Sequence, residues 1–310
     1  MDGKLLADSV SYPEEKGLRL MNPSVVVALL VAVSAPLSGQ TPPAAAPGLA
    51  AIVVPAKVSC VSGAAARAGD LGAVLAAGQA GLTTVVRTEQ SRKVYMDVDL
   101  FERNFDKSGR KIIDQHVTSR TGVGARPIAA LSAAALRATG YARMDPDGAT
   151  FFAPDASTLA SDDFATGYCM RLREPTEQDS VPGGIGIAFE APESDRTDIE
   201  GVLWLDRVSG ELRRVDYHYN HMPADFKAPS AGGRIVFRTL PKGFAMAQQW
   251  SMRVPIVSVF EKKKGGVDRY STNREDHAEK VVLYGTVTGF HEFGGVVKRA
   301  EVTGAPVWTP

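Results

Sequence analysis

Residues 183–255 read GGIGIAFEAPESDRTDIEGVLWLDRVSGELRRVDYHYNHMPADFKAPSAGGRIVFRTLPKGFAMAQQWSMRVP, a run of strand-length segments separated by turn residues. Apolar and polar side chains alternate along these segments, most regularly over residues 214–219. A period of two is typical of a strand with one buried face. Residues 206–210 and 240–243 have the glycines and polar residues of tight turns. Because parallel strands need long crossovers, these short links predict an antiparallel β-meander.

The same patterning continues beyond this stretch towards the end of the chain. We therefore predict a mainly β fold of the α+β class, in which residues 161–303 form a curved antiparallel meander or half-barrel of about six to eight strands. A charged, glycine-containing segment at 262–280 is predicted to be a mobile loop. Gly294 and Gly295 are predicted to form a turn before a last short strand.

Residues 58–160 are predicted to form a small, poorly ordered α/β region before the meander. Its first part, up to residue 81, is rich in Ala and Gly and has a poor helical pattern, whereas residues 82–100 alternate partly and predict one or two strands. One helix is predicted at 127–139, because Pro127 suits a first helical turn and Gly140 follows the last.

The N-terminal residues resemble a targeting segment. An apolar run at 25–33 is too short to span a bilayer and is followed by small residues, which predicts a signal peptide within residues 1–40 cleaved near Gln40. Met21 is then the expected true start, and residues 41–57 are a linker by composition. A periplasmic or secreted protein without a transmembrane span in its mature chain is expected.

The chain has two cysteines, Cys60 and Cys169. In an oxidising compartment such a pair can form a disulfide, and here it would attach the poorly patterned N-terminal region to the meander. The alternative is two buried thiols, and the sequence leaves both open.

Composition and motifs narrow the function. The formal net charge is zero, which does not favour nucleic acid as a partner. We identify no catalytic constellation, cofactor motif or metal-ligand set. His218 and His221 lie three apart on a predicted strand, where their side chains point to opposite faces and cannot share one ion. We therefore predict a protein that is not an enzyme and has no cofactor.

The predicted strand after residue 243 offers the one candidate ligand site. A regular strand places Phe244, Met246, Trp250 and Met252 on one face. They are expected either to fill the core or to line a concave cavity for an apolar ligand.

Residues 162–301 resemble uncharacterised exported bacterial proteins labelled carboxypeptidase regulatory-like domain-containing. The segments that carry the resemblance are SDDF at 161–164, GIGIAFE at 184–190, DIEGVLWLD at 198–206, GGRIVFR at 232–238, LPKG at 240–243 and WSMRVP at 250–255. The small β-sandwich with which those proteins begin is missing or degraded here, and the resemblance implies no activity. The meander is also similar to lipoprotein-carrier proteins, whose curved sheets hold an apolar ligand.

Two functions are expected from these observations. The first is a non-enzymatic cell-envelope module that binds a partner protein or a polymer. The alternative is a periplasmic carrier of a lipid or another apolar ligand. The carrier requires the four side chains at 244–252 to border an empty apolar cavity, whereas the binding module requires them to be packed.

Overall fold

A computed structural model describes residues 49–55, 59–123, 131–145, 148–192, 196–223, 226, 228–263 and 281–310. The expected signal peptide, most of the linker and nearly all of the expected loop at 262–280 lie outside these residues. Among the described helices, none is both long and apolar enough to cross a membrane. Ala45–Pro310 form one compact unit.

The described elements comprise four α-helices and eleven strands. The helices are α1 (Gly69–Ser91), α2 (Ala133–Thr139), α3 (Ala156–Ala160) and α4 (Asp162–Gly167). The strands are β1 (Val94–Phe105), β2 (Ile112–Val123), β3 (Ala142–Asp145), β4 (Gly148–Phe151), β5 (Cys169–Arg173), β6 (Gly184–Glu190), β7 (Asp198–Asp206), β8 (Leu212–Asn220), β9 (Gly232–Leu240), β10 (Phe244–Lys263) and β11 (Val281–Val302).

Nine of these strands form one antiparallel sheet in the order β2-β1-β11-β10-β9-β8-β7-β6-β5, while β3 and β4 pair separately. The sheet is not closed into a barrel, since β2 and β5 are its edges. The predicted mainly β, antiparallel fold is confirmed. Strands β5 to β11 run in sequence order, as a meander requires. The β1–β2 hairpin, which we assigned to a separate N-terminal region, joins this sheet beside β11.

Helix α1 was missed, and the strand predicted from residue 82 was wrong as far as Ser91. Its buried residues recur at helical spacing and include Leu71, Val74, Leu75, Leu82 and Val85. The glycines that argued against a helix let it lie close to the sheet. A Cβ on Gly78 would come 2.5 Å from Leu203, and one on Gly81 would come 2.7 Å from Leu212.

Helix α2 is shorter than predicted. It begins at Ala133 because the Ser132 side chain accepts a hydrogen bond from the Ala135 amide, 3.2 Å away, and so caps the helix. Pro127, the expected first-turn residue, lies outside the described residues. The predicted end at Gly140 is correct, and this glycine adopts a φ of 81°.

Strands β10 and β11 depart from regular geometry in two places that we predicted incorrectly. A bulge between Ala247 and Gln249 shifts the register of β10 against β9. Gly294 and Gly295 lie inside β11 rather than in a turn. Gly295 lies opposite Trp250, and a Cβ at this position would come 2.3 Å from the indole ring. The glycine therefore makes room for a large core side chain.

The main core lies between helix α1 and the inner face of the sheet, which we define as the face that carries Leu203. Fully buried side chains on this side include Ile185, Ile187, Ile199, Leu205 and Tyr217. A smaller cluster of Val181, Ala188, Val202 and Trp204 lies on the opposite, outer face. Val181 belongs to the segment at 174–183, which connects β5 to β6 and covers this cluster. Apolar side chains also lie on the outer face near the other end of the sheet, among them Phe101 and Phe105 of β1, whereas the middle of this face is polar.

Candidate functional site

The strand register arranges the outer-face side chains in rows that cross the sheet. Successive partners in one row are Val202, Asp216, Arg234, Ser251 and Gly294. The next row contains Glu200, His218, Gly232, Arg253 and Glu292. Positive and negative side chains thus lie beside one another on neighbouring strands, where opposite charges stabilise the sheet.

Asp216 is the central acceptor of this face. Its carboxylate accepts hydrogen bonds from the Nε atoms of Arg214 at 2.7 Å and Arg234 at 2.6 Å. The Trp204 indole also donates to it, at 3.1 Å. Arg214 is largely buried and donates in addition to the Asp179 carbonyl in the covering segment. These bonds hold the guanidinium groups in fixed positions.

A second charged cluster lies at the β10–β11 side. Glu292 accepts a hydrogen bond from Arg253 Nε at 2.7 Å and pairs with Arg103 of β1 at 3.5 Å. The Arg253 guanidinium stacks on the Phe105 ring, 4.2 Å from its centroid, and donates to the Gly109 carbonyl. Arg253 is therefore held by a carboxylate, a ring and a backbone carbonyl.

A groove of about 820 Å³ crosses this face. Five arginines line it, together with five acidic residues: Arg171, Arg173, Arg214, Arg234, Arg253, Asp179, Glu190, Glu200, Asp216 and Glu292. Lining residues come from each strand from β5 to β11, so at about 4.8 Å between strands the floor is roughly 29 Å long. Its charge is balanced, and it has many hydrogen-bonding groups.

One wall of the groove is anchored by Asp179. Partial burial opposes the ionisation of this carboxyl, but hydrogen bonds from Thr176 and the ion pair with Arg173 outweigh it and lower its pKa below the usual value. Arg173 contacts both carboxylate oxygens at 3.0 Å. Its guanidinium also lies 5.5 Å from the centre of the Trp204 ring. The wall is thereby fixed over the outer-face cluster.

Two polar side chains face the middle of the groove without such partners. Glu200 and His218 are directly opposite each other on β7 and β8, and both are exposed. Within the described residues, neither has an ion pair or a side-chain hydrogen bond. Their hydrogen-bonding capacity is available to a ligand.

The aromatic rings that line the groove are buried beneath its floor. Trp204, Phe189 and Tyr217 are 0%, 2% and 1% exposed. The groove therefore offers charged and hydrogen-bonding groups rather than ring faces.

A second cavity, of about 440 Å³, lies near α2, α3 and α4. Tyr168 donates a hydrogen bond to Asp198, and burial is the main cause that raises the pKa values of Tyr168 and Tyr141. Both phenols therefore stay protonated. The Thr158 hydroxyl, also in the lining, is buried and lacks a hydrogen-bond partner in the described part of the chain. This cavity can accept a small hydrogen-bonding group.

The residues predicted as a ligand lining do not share one face. Because of the bulge in β10, Met246 lies opposite Arg238, whereas Trp250 lies opposite Ile235 on the inner face. Met246, Trp250 and Met252 are at most 4% exposed, and Phe244 packs against the same core. The four side chains are core residues, and the expected common lining was wrong because the bulge reverses the alternation.

Cys60 and Cys169 are joined by a disulfide, with their Cα atoms 5.4 Å apart. The next residues also pair, because Val61 and Met170 exchange backbone hydrogen bonds of 3.0 and 2.7 Å. The disulfide thus attaches the segment before α1 to the outer edge of β5. These contacts cover the edge at Cys169 and Met170.

The histidines at 218, 221 and 291 have different surroundings. His218 lines the groove, His221 is exposed in the following turn, and His291 contacts the Asn104 side chain at 2.9 Å. Across the described ranges, no three His, Cys, Asp or Glu side chains are grouped as a metal site requires.

The charged pairs of the groove were missed because the pattern of single strands shows only that one face is polar. Arg214, Asp216 and His218 alternate with apolar residues, as do Arg234 and Arg253 in later strands. The charged pairs could be predicted from opposite charges at matching positions of successive strands. Positions can be matched only when the register between β8, β9 and β10 is known.

Comparison with known proteins adds no relative. No protein-family model, no curated protein and no solved structure matches the chain. The resemblance to exported carboxypeptidase regulatory-like proteins therefore stays a prediction.

Proposed function

We propose that this protein is an exported, non-enzymatic binding module of the cell envelope. Its binding surface is the outer-face groove, and its ligand is an extended polar segment of a partner protein that has both positive and negative side chains. The observation that carries this proposal is the arrangement of five arginines and five acidic residues along one 820 Å³ groove.

The charge pattern supports a ligand with mixed charge. A groove rich in one sign would attract a polyanion or a polycation over a distance, whereas balanced rows favour a ligand whose own charges match them in position. Because its arginines are already held by carboxylates, the groove loses little side-chain entropy on binding. At about 3.3 Å per residue, its floor accommodates roughly nine residues of extended chain.

A peptide fits the groove better than a carbohydrate polymer does. Sugar rings stack on exposed aromatic faces, and the three rings in this lining are at most 2% exposed. A peptide instead presents carboxylates to Arg234 and Arg253, and amide or ammonium groups to Glu200 and His218.

Two features support export. The apolar run at 25–33 has the length of a signal-peptide core. The disulfide between Cys60 and Cys169 is of a kind that persists in oxidising compartments such as the periplasm.

The alternative, a carrier of an apolar ligand, has less support. Its expected lining residues are divided between two faces, and Met246, Trp250 and Met252 are buried in the core. A lipid would have to displace packed side chains from this site.

Selection from a displayed library of random dodecapeptides tests the proposal on the mature, oxidised chain. We expect enriched peptides with both acidic and basic residues. Arg234→Ala should weaken their binding about tenfold, because it removes a charged donor from the floor. Asp216 would keep Arg214 and Trp204 as partners, and Arg234 is half exposed, so stability should change by less than about 0.5 kcal/mol.

Arg238→Ala is the matched control, because Arg238 is on the same strand and face but outside the groove lining. The Arg238→Ala variant should bind the selected peptides with the same affinity as the unmodified chain. A library that yields no enriched peptide, or peptides that bind Arg234→Ala with undiminished affinity, would contradict the proposal.

A further inference from the structure

Strand β2 is an exposed sheet edge. It has twelve residues, and in the described part of the chain it pairs only with β1. Eleven of its twelve residues are exposed, among them Ile112, Ile113 and Val117, and the remaining one is Gly122. A strand edge presents a row of unpaired amide and carbonyl groups to any strand that approaches it.

The two edges of the sheet differ. Strand β5 has only five residues, and the disulfide and the Val61 bridge cover its outer side at Cys169 and Met170. Strand β2 is more than twice as long and contains neither lysine nor proline, the residues that most often prevent edge pairing. Its two clearly charged side chains, Asp114 and Arg120, have no ion-pair partner among the described residues.

The sequence of β2 is complementary to itself. If two copies of the strand pair in antiparallel orientation with Val117 opposite Val117, each Asp114 lies opposite an Arg120. In an antiparallel pair the numbers of two opposed residues have a constant sum, which is 234 in this register. Asp114 and Arg120 satisfy this sum, so no other register places them opposite each other. Opposed residues share a face of the sheet, and in this register no like charges face each other. His116 lies opposite Thr118.

We propose that β2 pairs with β2 of a second copy of this chain about a two-fold axis at Val117. Seven residues of each strand, 114–120, lie beyond the bulge at Ile113 and are then paired, and they exchange roughly six to eight backbone hydrogen bonds. That number is usual for a specific protein interface. The contact is symmetric and closes as a dimer.

The pairing also extends an apolar row. Within one copy, Phe101 of β1 is the register partner of Val117, and Gly294 of β11 follows on the other side. The dimer places two valines between two Phe101 rings on the outer face. Both grooves then lie on the same side of one continuous sheet, because opposed residues of antiparallel strands share a face.

Sedimentation equilibrium of the mature chain at micromolar concentration tests the proposal. We expect the mass of a dimer. Arg120→Asp and, separately, Asp114→Arg turn both attractive pairs into repulsive ones and should weaken the dimer roughly 10- to 100-fold. The double variant with both substitutions restores opposite charges and should restore dimerisation. All the substituted side chains are exposed, and the rescue shows that folding is intact.

Cysteine crosslinking tests the register. Val117→Cys should link two copies under mild oxidation. Ser119→Cys, on the same face, should not, because its symmetry mates are separated by roughly 13 Å along the strands. A monomeric unmodified chain, a dimer insensitive to the single charge reversals, failure of the double variant to restore it, or equal crosslinking at 117 and 119 would each overturn the proposal.

Discussion

At the scale of single residues, Asp206 shows how one carboxylate organises a turn. It ends β7 and accepts hydrogen bonds from the Ser209 amide at 2.7 Å and the Val208 amide at 3.0 Å, and it pairs with Arg213. These contacts, the Ser209 amide first, lower its pKa to about 2. The turn and the left-handed glycine at Gly210, whose φ is 71°, were predictable from sequence. The hydrogen bonds to the Asp206 carboxylate were not predictable, because they depend on where the folded turn places the backbone amides of Ser209 and Val208.

We expect Asp206→Asn to destabilise the protein at pH 7 by about 1 kcal/mol. The effect is this small because solvent screens the ion pair between Asp206 and Arg213. The folded pKa lies below the ordinary 3.8, so this contribution is present above about pH 4 and disappears as the pH falls towards 2. Urea unfolding at pH 7 and at steps between pH 4 and 2 measures it. Glu211→Gln, in the same turn, should have little effect. If the difference in unfolding free energy between the unmodified chain and Asp206→Asn increased as the pH fell, this explanation would be contradicted.

At the scale of elements, two wrong predictions concern segments with glycines, namely the missed helix α1 and the turn predicted within β11. In α1 the glycines belonged to a segment whose helical pattern was judged poor, and in β11 they were interpreted as a turn, but in both places they allow close approach between large neighbours. The strands with clear alternation, such as β8, were predicted correctly because their faces differ in polarity. The β10 bulge was not predictable, because it is defined by the register against β9.

We expect Gly295→Ala to destabilise the chain by about 1–3 kcal/mol, because its methyl group would overlap the rigid indole of Trp250. The free energy of unfolding in urea provides the measurement. Gly122→Ala is the matched control, since that strand glycine has no atom within 4 Å of the added carbon. Equal effects of the two substitutions would show that β11 does not pass Trp250 as described.

At the scale of the whole molecule, the inner face of the sheet is apolar, whereas the middle of its outer face is polar. The composition and the alternation of the meander predicted an antiparallel β protein, but they did not reveal that β1 and β2 extend the sheet. That pairing joins residues more than 200 positions apart, such as Val94 and Val302, and it leaves no local signal. The polar side of single strands was visible in the sequence, whereas the groove exists only after seven strands are placed in register.

The central claim is that ligands bind the outer face and not the inner one. Adjacent residues of β10 distinguish the two, because Ser251 points into the groove while Trp250 and Met252 point into the core. The decisive measurement is two-dimensional NMR of the mature chain titrated separately with a selected mixed-charge dodecapeptide and with palmitate. We predict that the peptide shifts the signals of Ser251 and Arg234 and leaves the Trp250 indole unchanged, and that palmitate has no saturable effect. Saturable shifts of Trp250 and Met252 with palmitate, and none in the groove with the peptide, would contradict the claim and favour a carrier.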